Sequence, residues 1–136
     1  IKMSPIGDCS EGPHGSIGDW DVSAVTSMAY MFSRASAFNQ DLSKWDVSAV
    51  TNMRSMFSSA FAFNQDLSKW DVSAVTDMGS MFRDASAFNR KLCGVAWVQS
   101  KAKKEHMFSA SPGSIASTVC TTARPDYDEG EAYGEG

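Results

Sequence analysis

Three cysteines and two histidines are the side chains of this sequence best suited to act as nucleophiles, proton carriers or metal ligands. The cysteines are Cys9, Cys93 and Cys120, and the histidines are His14 and His106. No Cys-x-x-Cys spacing is present, which argues against a zinc site built from these residues. Neither histidine has a catalytic partner at motif spacing, so the sequence predicts no active site around them.

The odd number of cysteines leaves at least one thiol that is free or paired outside this chain. Cys93 and Cys120 both lie in the C-terminal part of the sequence, where a disulfide between them would fasten the end of the domain. Such a disulfide would indicate an oxidising compartment. The alternative is that the cysteines are small buried hydrophobic residues.

Acidic residues are either regularly spaced or concentrated near the C terminus. Asp21, Asp46 and Asp71 recur at a constant interval along the chain. Stacked neighbouring repeats would bring these like charges to about 5 Å from one another. They must then point into solvent, accept hydrogen bonds from backbone N–H groups, or share a cation. Residues 125–136 hold five acidic residues and no Lys or Arg. Neither arrangement is the carboxylate pair that acid–base catalysis requires.

The sequence shows no convincing motif for binding phosphate or nucleic acid or for spanning a membrane. Gly12, Gly15 and Gly18 have the wrong spacing and context for a phosphate-binding loop. The basic stretch at 101–104 is too short to neutralise a phosphate backbone. No apolar run approaches the ~20 residues of a membrane-spanning helix. We therefore expect no enzyme activity, no cofactor, no metal, no nucleic acid partner and no transmembrane segment.

A sequence motif is repeated along the chain, and Trp20, Trp45 and Trp70 each begin one nearly identical copy. The shared pattern is W-D-V-S-A-V-T-x-M-x-x-M-F-x-x-A-x-x-F-N-x-x-L, and such fixed-period similarity is the signature of a repeat protein. A degenerate fourth repeat is expected, because terminal repeats cap an otherwise exposed core. The predicted organisation is an N-terminal cap segment at 1–19, repeats at 20–44, 45–69 and 70–94, a degenerate capping repeat at 95–124 and an acidic tail at 125–136.

Two periodicities alternate within each repeat. Met53, Met56 and Phe57 follow the i, i+3, i+4 spacing of a helix, with Thr51 placed to cap it. The spacing of apolar residues from Leu42 to Val50 is that of leucine-rich repeats, and alternation around Trp45 indicates a strand. We therefore predict an α/β repeat solenoid, a leucine-rich-repeat-like right-handed coil with one short strand (near 44–48) and one short helix (near 52–59) per repeat.

The other repeated residues receive structural interpretations. The Trp, Met and Phe residues are expected to form the core, because one repeat cannot bury its apolar face alone. Asn39, Asn64 and Asn89 follow a Phe in each repeat and are expected to form an internal ladder of buried amides.

Residues that change between repeats are the candidates for binding. Stacking does not fix them, and aromatic residues and arginines are enriched at protein interfaces. The alternative is an ordinary solvated surface, with the Phe of the second repeat tucked into a groove. The candidate partner contacts are Tyr30, Arg34, Arg54, Phe61 and Arg83.

The stretch FNQDLSKWDVSAVT, which occurs at 38–51 and again at 63–76, is each time followed by a Met and a Met-Phe pair. These residues resemble the 25-residue repeat of BspA-like and Mycoplasma-type surface proteins. The resemblance implies a leucine-rich-repeat-like solenoid that works in adhesion or protein–protein contact at the cell surface or outside the cell. The alternative is an accessory structural subunit of a large assembly, located in an organelle lumen or at the periphery of a membrane complex. An ordered acidic tail at 125–136 would then be held by a partner protein.

Overall fold

The computed structural model describes residues 15–120, and most of this range is built from turns rather than long helices or strands. Its regular elements are a 3-10 helix at Ile17–Asp19, strand β1 at Lys91–Leu92, helix α1 at Val95–Val98 and strand β2 at Ser114–Ile115. Strands β1 and β2 pair in parallel, with Lys91 opposite Ser114. Cys9, His14 and the acidic tail at 125–136 lie outside the described residues, so the expectations for them stay predictions.

Backbone hydrogen bonds between successive repeats connect the chain along its length. We call repeats 1 to 4 the segments 20–44, 45–69, 70–94 and 95–124. In each of repeats 1 to 3, the N–H groups of four alternate residues donate to carbonyls of the next repeat. We call these bonds the inter-repeat ladder. Its twelve N···O distances are 2.7–2.9 Å. The donors are Met28, Tyr30, Phe32 and Arg34 in repeat 1, Met53, Ser55, Phe57 and Ser59 in repeat 2, and Met78, Ser80, Phe82 and Asp84 in repeat 3.

The predicted helix near 52–59 is not formed. The segment 54–59 consists of successive turns, in which Met56 N–H donates to the Met53 carbonyl and Ser58 N–H to the Ser55 carbonyl. Ser55 and Ser59 adopt left-handed backbone conformations, with φ of 55° and 59°, which an α-helix does not contain. The apolar spacing suggests a helix because Met53, Met56 and Phe57 do share one buried side of the chain. The N–H groups of Met53 and Phe57, however, donate to carbonyls of the adjacent repeat and not to carbonyls four residues earlier.

The predicted strand near 44–48 and the predicted helix cap at Thr51 are likewise not found. The segment 44–48 carries turns at both ends and no strand pairing. The Thr51 side chain donates its hydroxyl to the Thr26 carbonyl at 3.2 Å, and Thr76 does the same to the Thr51 carbonyl at 3.1 Å. These threonines therefore connect repeats instead of capping helices.

The core consists of columns of identical side chains, which confirms the expectation for most of the Trp, Met and Phe residues, whereas Met31 is 40% exposed and Trp20 is half-buried. Phe57 stacks on Phe32 and on Phe82, with ring centroids 5.5 and 5.4 Å apart. Trp45 and Trp70 are parallel at 6.5 Å. Buried apolar side chains run without interruption from Ile17 to Met107. A core built from repeated columns offers each repeat the apolar partner that it lacks alone.

Each buried tryptophan also has a polar function. The indole N–H of Trp70 donates to the Leu42 carbonyl at 2.9 Å, and that of Trp97 donates to the Leu67 carbonyl at 2.8 Å. Trp45 makes the equivalent bond to the Ile17 carbonyl. Since a buried indole needs an acceptor, a carbonyl 28 to 30 residues earlier in the chain fixes the position of each ring.

The C-terminal repeat is irregular and is fastened covalently. The interval from Trp70 to Trp97 is two residues longer than the regular period, and helix α1 accommodates the added length. The chain then returns along β2, and Cys93 and Cys120 form a disulfide with their Cα atoms 5.0 Å apart. Strand pairing and disulfide together hold the end of the described chain against repeat 3.

Candidate functional site

A shallow groove of about 340 Å³ crosses the surface of repeats 1 to 3, and four of the five candidate contact residues line it. It lies along the inter-repeat ladder, since six of its lining residues are ladder donors. Tyr30 projects into it with 59% of its surface exposed. The lining residues are Tyr30, Ser33, Arg34, Arg54, Ser55, Ser58, Ser59, Ser80, Arg83 and Asp84.

Left-handed backbone conformations build the lining of this groove. Two residues of each repeat have a positive φ, between 55° and 65° in repeats 1 to 3, and all six of them line the groove. They are Tyr30, Arg34, Ser55, Ser59, Ser80 and Asp84. A side chain in this conformation leaves the chain in a different direction from its neighbours, so the turns that form the ladder also present the groove residues. The helical interpretation of the sequence missed this cause.

The groove carries more positive than negative charge. Arg54 lies 3.8 Å from the Asp77 carboxylate, and Arg83 lies 3.9 Å from that of Asp84. Arg34 forms no ion pair within the part of the chain that the structure describes. Both pairs are partly exposed, so solvent weakens them and they contribute little to stability. The guanidinium groups therefore remain available to an acidic partner.

Glycine at position 79 makes room for one of these arginines. A Cβ at this position would lie 2.5 Å from Nη1 of Arg54 and 3.1 Å from the Asp77 carboxylate. The small residue in repeat 3 thus lets the arginine of repeat 2 lie across it toward Asp77. A contact between positions of successive repeats is visible in the sequence only when the repeats are aligned in register.

Phe61 is the candidate that the structure separates from the others. It does not line the groove, and 52% of its surface is exposed rather than tucked against the chain. It replaces the serines Ser36 and Ser86 of the neighbouring repeats. Phe61 is therefore an isolated exposed aromatic residue, and Tyr30 is the aromatic residue of the groove.

The repeated aspartates are exposed and are held by local hydrogen bonds. The carboxylate of Asp46 accepts bonds from the Ser48 hydroxyl at 2.6 Å and from the Ser48 N–H at 3.0 Å. Asp21 and Asp71 make the same pair of contacts two residues on. Donation from the serine hydroxyl, and then from the backbone N–H, lowers the pKa of all three carboxyls below the ordinary value of 3.8. Solvent and hydrogen bonds from N–H groups thus both stabilise these three carboxylates.

The asparagines form a ladder, but at the surface and not in the interior. The Asn39 side-chain carbonyl accepts the Asn64 N–H at 2.8 Å, and that of Asn64 accepts the Asn89 N–H at 3.0 Å. Asn39 and Asn89 are exposed, and Asn64 is half-buried. Each amide therefore pairs with the next repeat instead of closing a turn of its own.

Among the described residues, the other candidate catalytic and metal-binding side chains do not come together in one site. Within residues 15–120, no three side chains of the His, Cys, Asp and Glu types are grouped to hold a metal ion. His106 is exposed in repeat 4, and Cys93 and Cys120 are bonded to each other. Across the same residues, no helix has the length and apolar character needed to cross a bilayer.

Comparison with known proteins identifies a family but no activity. A family model described as "Mycoplasma protein of unknown function, DUF285" matches residues 3–117. The match includes the whole of repeats 1 to 3 and every residue that lines the groove. No curated protein and no solved structure matches the sequence.

Proposed function

This chain belongs to the DUF285 family of Mycoplasma proteins of unknown function, and we propose that it is a non-enzymatic, BspA-like repeat solenoid that binds a partner protein through the groove of repeats 1 to 3. The side chains that line the groove vary between repeats, whereas the residues that hold the repeats together, here called the framework, are the same in each. Framework residues recur in every repeat, where they pack, pair or turn the chain. Groove positions such as Tyr30, Arg54 and Arg83 differ from repeat to repeat.

One observation carries the proposal: four residues that vary between repeats line a single groove. Tyr30, Arg34, Arg54 and Arg83 come from three different repeats, and the stacking of these repeats brings them together. A tyrosine beside arginines is the composition of an interface centre, since both residue types are enriched among the strongest contacts. The excess of arginine over acidic residues in the lining favours a partner surface that carries carboxylates.

The proposed location is the cell surface or the extracellular side of a membrane. The disulfide between Cys93 and Cys120 supports this location, because such bonds persist in oxidising compartments and are rare in a reducing cytosol. The family match supports a Mycoplasma-type repeat protein. An accessory subunit of a larger assembly would use the same groove but would be recovered in fixed stoichiometry with its partner.

Site-specific photo-crosslinking tests the groove in cells that make the protein. Benzoylphenylalanine replaces Tyr30 in one variant and Phe61 in the other, since both aromatic residues are about half exposed. We expect the Tyr30 variant to crosslink to a protein partner and the Phe61 variant to give no specific product. Crosslinking from position 61 alone would move the contact surface out of the groove.

Charge removal gives a matched quantitative test once a partner has been isolated. Arg54→Ala with Arg83→Ala removes two groove cations, and Lys44→Ala with Lys69→Ala removes two exposed cations outside the groove. The arginine pair should weaken binding at least about tenfold without lowering the melting temperature, and the lysine pair should change affinity less than about twofold. Equal effects of the two pairs would contradict the proposal.

A further inference from the structure

We propose that the disulfide between Cys93 and Cys120 is a site of thiol–disulfide exchange, at which a small external thiol attacks Cys120 and Cys93 leaves as a thiolate that Ser68 stabilises. The surroundings of the two sulfur atoms carry this inference. The depression beside the disulfide shares no residue with the groove, so the inference stands independently of the partner proposed above.

The two bonded cysteines differ in their accessibility. Cys120 is exposed, whereas Cys93 is half-buried. Both line a shallow depression of about 390 Å³, together with Lys91 and residues 116–119, and this volume admits a small thiol. Exposed disulfides are the ones that exchange readily. Attack at the exposed sulfur makes the half-buried sulfur the leaving group.

A hydroxyl group is placed to stabilise the charge of the leaving sulfur. Ser68 Oγ lies 3.8 Å from Cys93 Sγ. Since a sulfur in a disulfide carries no hydrogen, the serine hydroxyl is the donor in this contact. The same oxygen accepts the Cys93 N–H at 3.3 Å, which holds the hydroxyl beside Cys93. The contact strengthens when the sulfur becomes a thiolate, because hydrogen bonds to charged groups are stronger than those to neutral groups.

Repeat 3 also carries a change of charge next to this cysteine. Repeats 1 and 2 have the sequence Asp-Leu-Ser where repeat 3 has Lys-Leu-Cys. In repeat 2 the Asp66 carboxylate accepts the Ser68 N–H at 3.0 Å. A carboxylate at that position would repel a thiolate at Cys93, whereas the ammonium group of Lys91 attracts it. The cysteine and the favourable charge therefore occur together in the same repeat.

The proposed step balances in atoms, charge and electrons. The external thiolate forms a bond to Cys120 Sγ, and the bond between the two protein sulfurs breaks with its electron pair on Cys93 Sγ. The products are a mixed disulfide on Cys120 and the Cys93 thiolate. A second external thiolate can attack the external sulfur of this adduct, which yields the reduced Cys120 and the disulfide of the external thiol.

Exchange would loosen the end of the described chain. Three backbone hydrogen bonds of 2.9–3.0 Å join the segment 114–120 to residues 90–93. Strand pairing of this length stabilises little. An external thiol therefore controls how firmly 114–120 stays docked on repeat 3.

Chemical trapping tests which sulfur is attacked. The full oxidised chain reacts briefly with 2-mercaptoethanol, and N-ethylmaleimide then blocks every free thiol. Peptide mass spectrometry assigns the adducts at Cys93 and Cys120 separately from those at Cys9. We expect the mercaptoethanol adduct on Cys120 and the maleimide on Cys93. A mercaptoethanol adduct found on Cys93 as often as on Cys120, or more often, overturns the proposal.

Rates of disulfide opening test the function of the hydroxyl. Ser68→Ala removes it, and Ser43→Ala is the matched control, because Ser43 occupies the same position in repeat 1. We expect Ser68→Ala to slow opening by 2-mercaptoethanol at least about fivefold, Ser68→Thr to keep most of the parent rate, and Ser43→Ala to change it less than about twofold. A merely structural function of Ser68 predicts the opposite, since a loosened turn exposes the disulfide. Unchanged or faster opening in Ser68→Ala therefore overturns the proposal.

A change of charge gives a second test that does not depend on the serine. Lys91→Asp restores the residue type of repeats 1 and 2, and Lys101→Asp makes the same change at an exposed lysine outside the depression. We expect Lys91→Asp to slow opening at least about tenfold and Lys101→Asp to slow it less than about twofold. Equal effects overturn the proposal. If a thermal melt shows that Ser68→Ala is unfolded, the comparison of the two lysine variants decides the question.

Discussion

At the scale of single residues, the turns of this protein depend on residues that tolerate left-handed backbone poorly. Tyr30, Arg34 and Ser59 all have a positive φ without being glycine. This conformation costs an L-residue about 1–2 kcal/mol relative to the right-handed region. The inter-repeat hydrogen bonds hold each residue in place and offset that cost.

Glycine at such a position should therefore stabilise the protein. Ser59→Gly removes the Cβ from a residue at φ 59°, and we expect the free energy of unfolding to rise by about 0.5–1 kcal/mol. Ser58→Gly is the matched control, because Ser58 lies outside the left-handed region. It should lose about 0.5–1 kcal/mol through backbone entropy alone. Urea denaturation measures both, and a loss of stability in both variants would contradict the conformational argument.

The repeated aspartates predict a dependence of stability on pH. Hydrogen bonds from Ser48 lower the pKa of the Asp46 carboxyl in the folded protein below 3.8. A lowered pKa contributes stability that is present above the unfolded value and is lost as pH falls through the folded value. The free energy of unfolding should therefore decrease below about pH 4. Asp46→Asn keeps the acceptor oxygen without the charge and should flatten the decrease, so parallel curves for variant and parent would exclude this contribution.

Sequence reasoning succeeds at this scale where one residue type has one function. The buried tryptophans and phenylalanines were predictable, since their size and regular recurrence leave no other place for them. The conformation of Ser55 or Ser59 was not, because serine carries no signal for a positive φ. The cause lies in the next repeat, in the carbonyls that accept their N–H groups.

At the scale of elements, the C-terminal repeat differs from the others in containing helix α1 and strand β2. Helix α1 accommodates the extra residues before Trp97, and Gly94 precedes it where a Cβ would overlap the Ser68 carbonyl oxygen. Strand β2 pairs only with β1, over two residues. Such short pairing stabilises little, which leaves the disulfide as the main constraint on this segment.

Removal of the disulfide should loosen the last element measurably. The bond closes a loop with a sequence separation of 27, for which chain entropy predicts a stabilisation of about 3–4 kcal/mol. We expect Cys93→Ala with Cys120→Ala to lower the free energy of unfolding by about 2–4 kcal/mol. Reductant should destabilise the parent protein by a similar amount and leave the double variant unchanged. A loss no larger than that of an ordinary surface substitution, about 0.5 kcal/mol, would assign the end of the chain to packing alone.

The helix predicted for each repeat shows why element type was harder to predict than the period. Apolar residues at i, i+3 and i+4 share one side of a helix, but they also share one side of a chain of successive turns. In an isolated segment the helix would satisfy the backbone locally. Here Phe57 N–H donates to the Met81 carbonyl instead, and only the neighbouring repeat supplies that acceptor.

At the scale of the whole molecule, the inter-repeat ladder determines both the backbone conformation of the turns and the position of the groove. It sets the left-handed residues, which line the groove. The period and the repeat boundaries could be read from the tryptophans, because stacking of identical columns requires equal spacing. The groove could not be predicted, since it depends on which backbone groups pair.

Scalar coupling across hydrogen bonds, measured by NMR on the isotope-labelled protein, tests the ladder most directly. The account predicts that the amide nitrogen of Phe57 couples to the carbonyl carbon of Met81, and that of Phe82 to the carbonyl carbon of Met107. Coupling of Phe57 to the carbonyl carbon of Met53, four residues earlier, would indicate an α-helix and contradict the account.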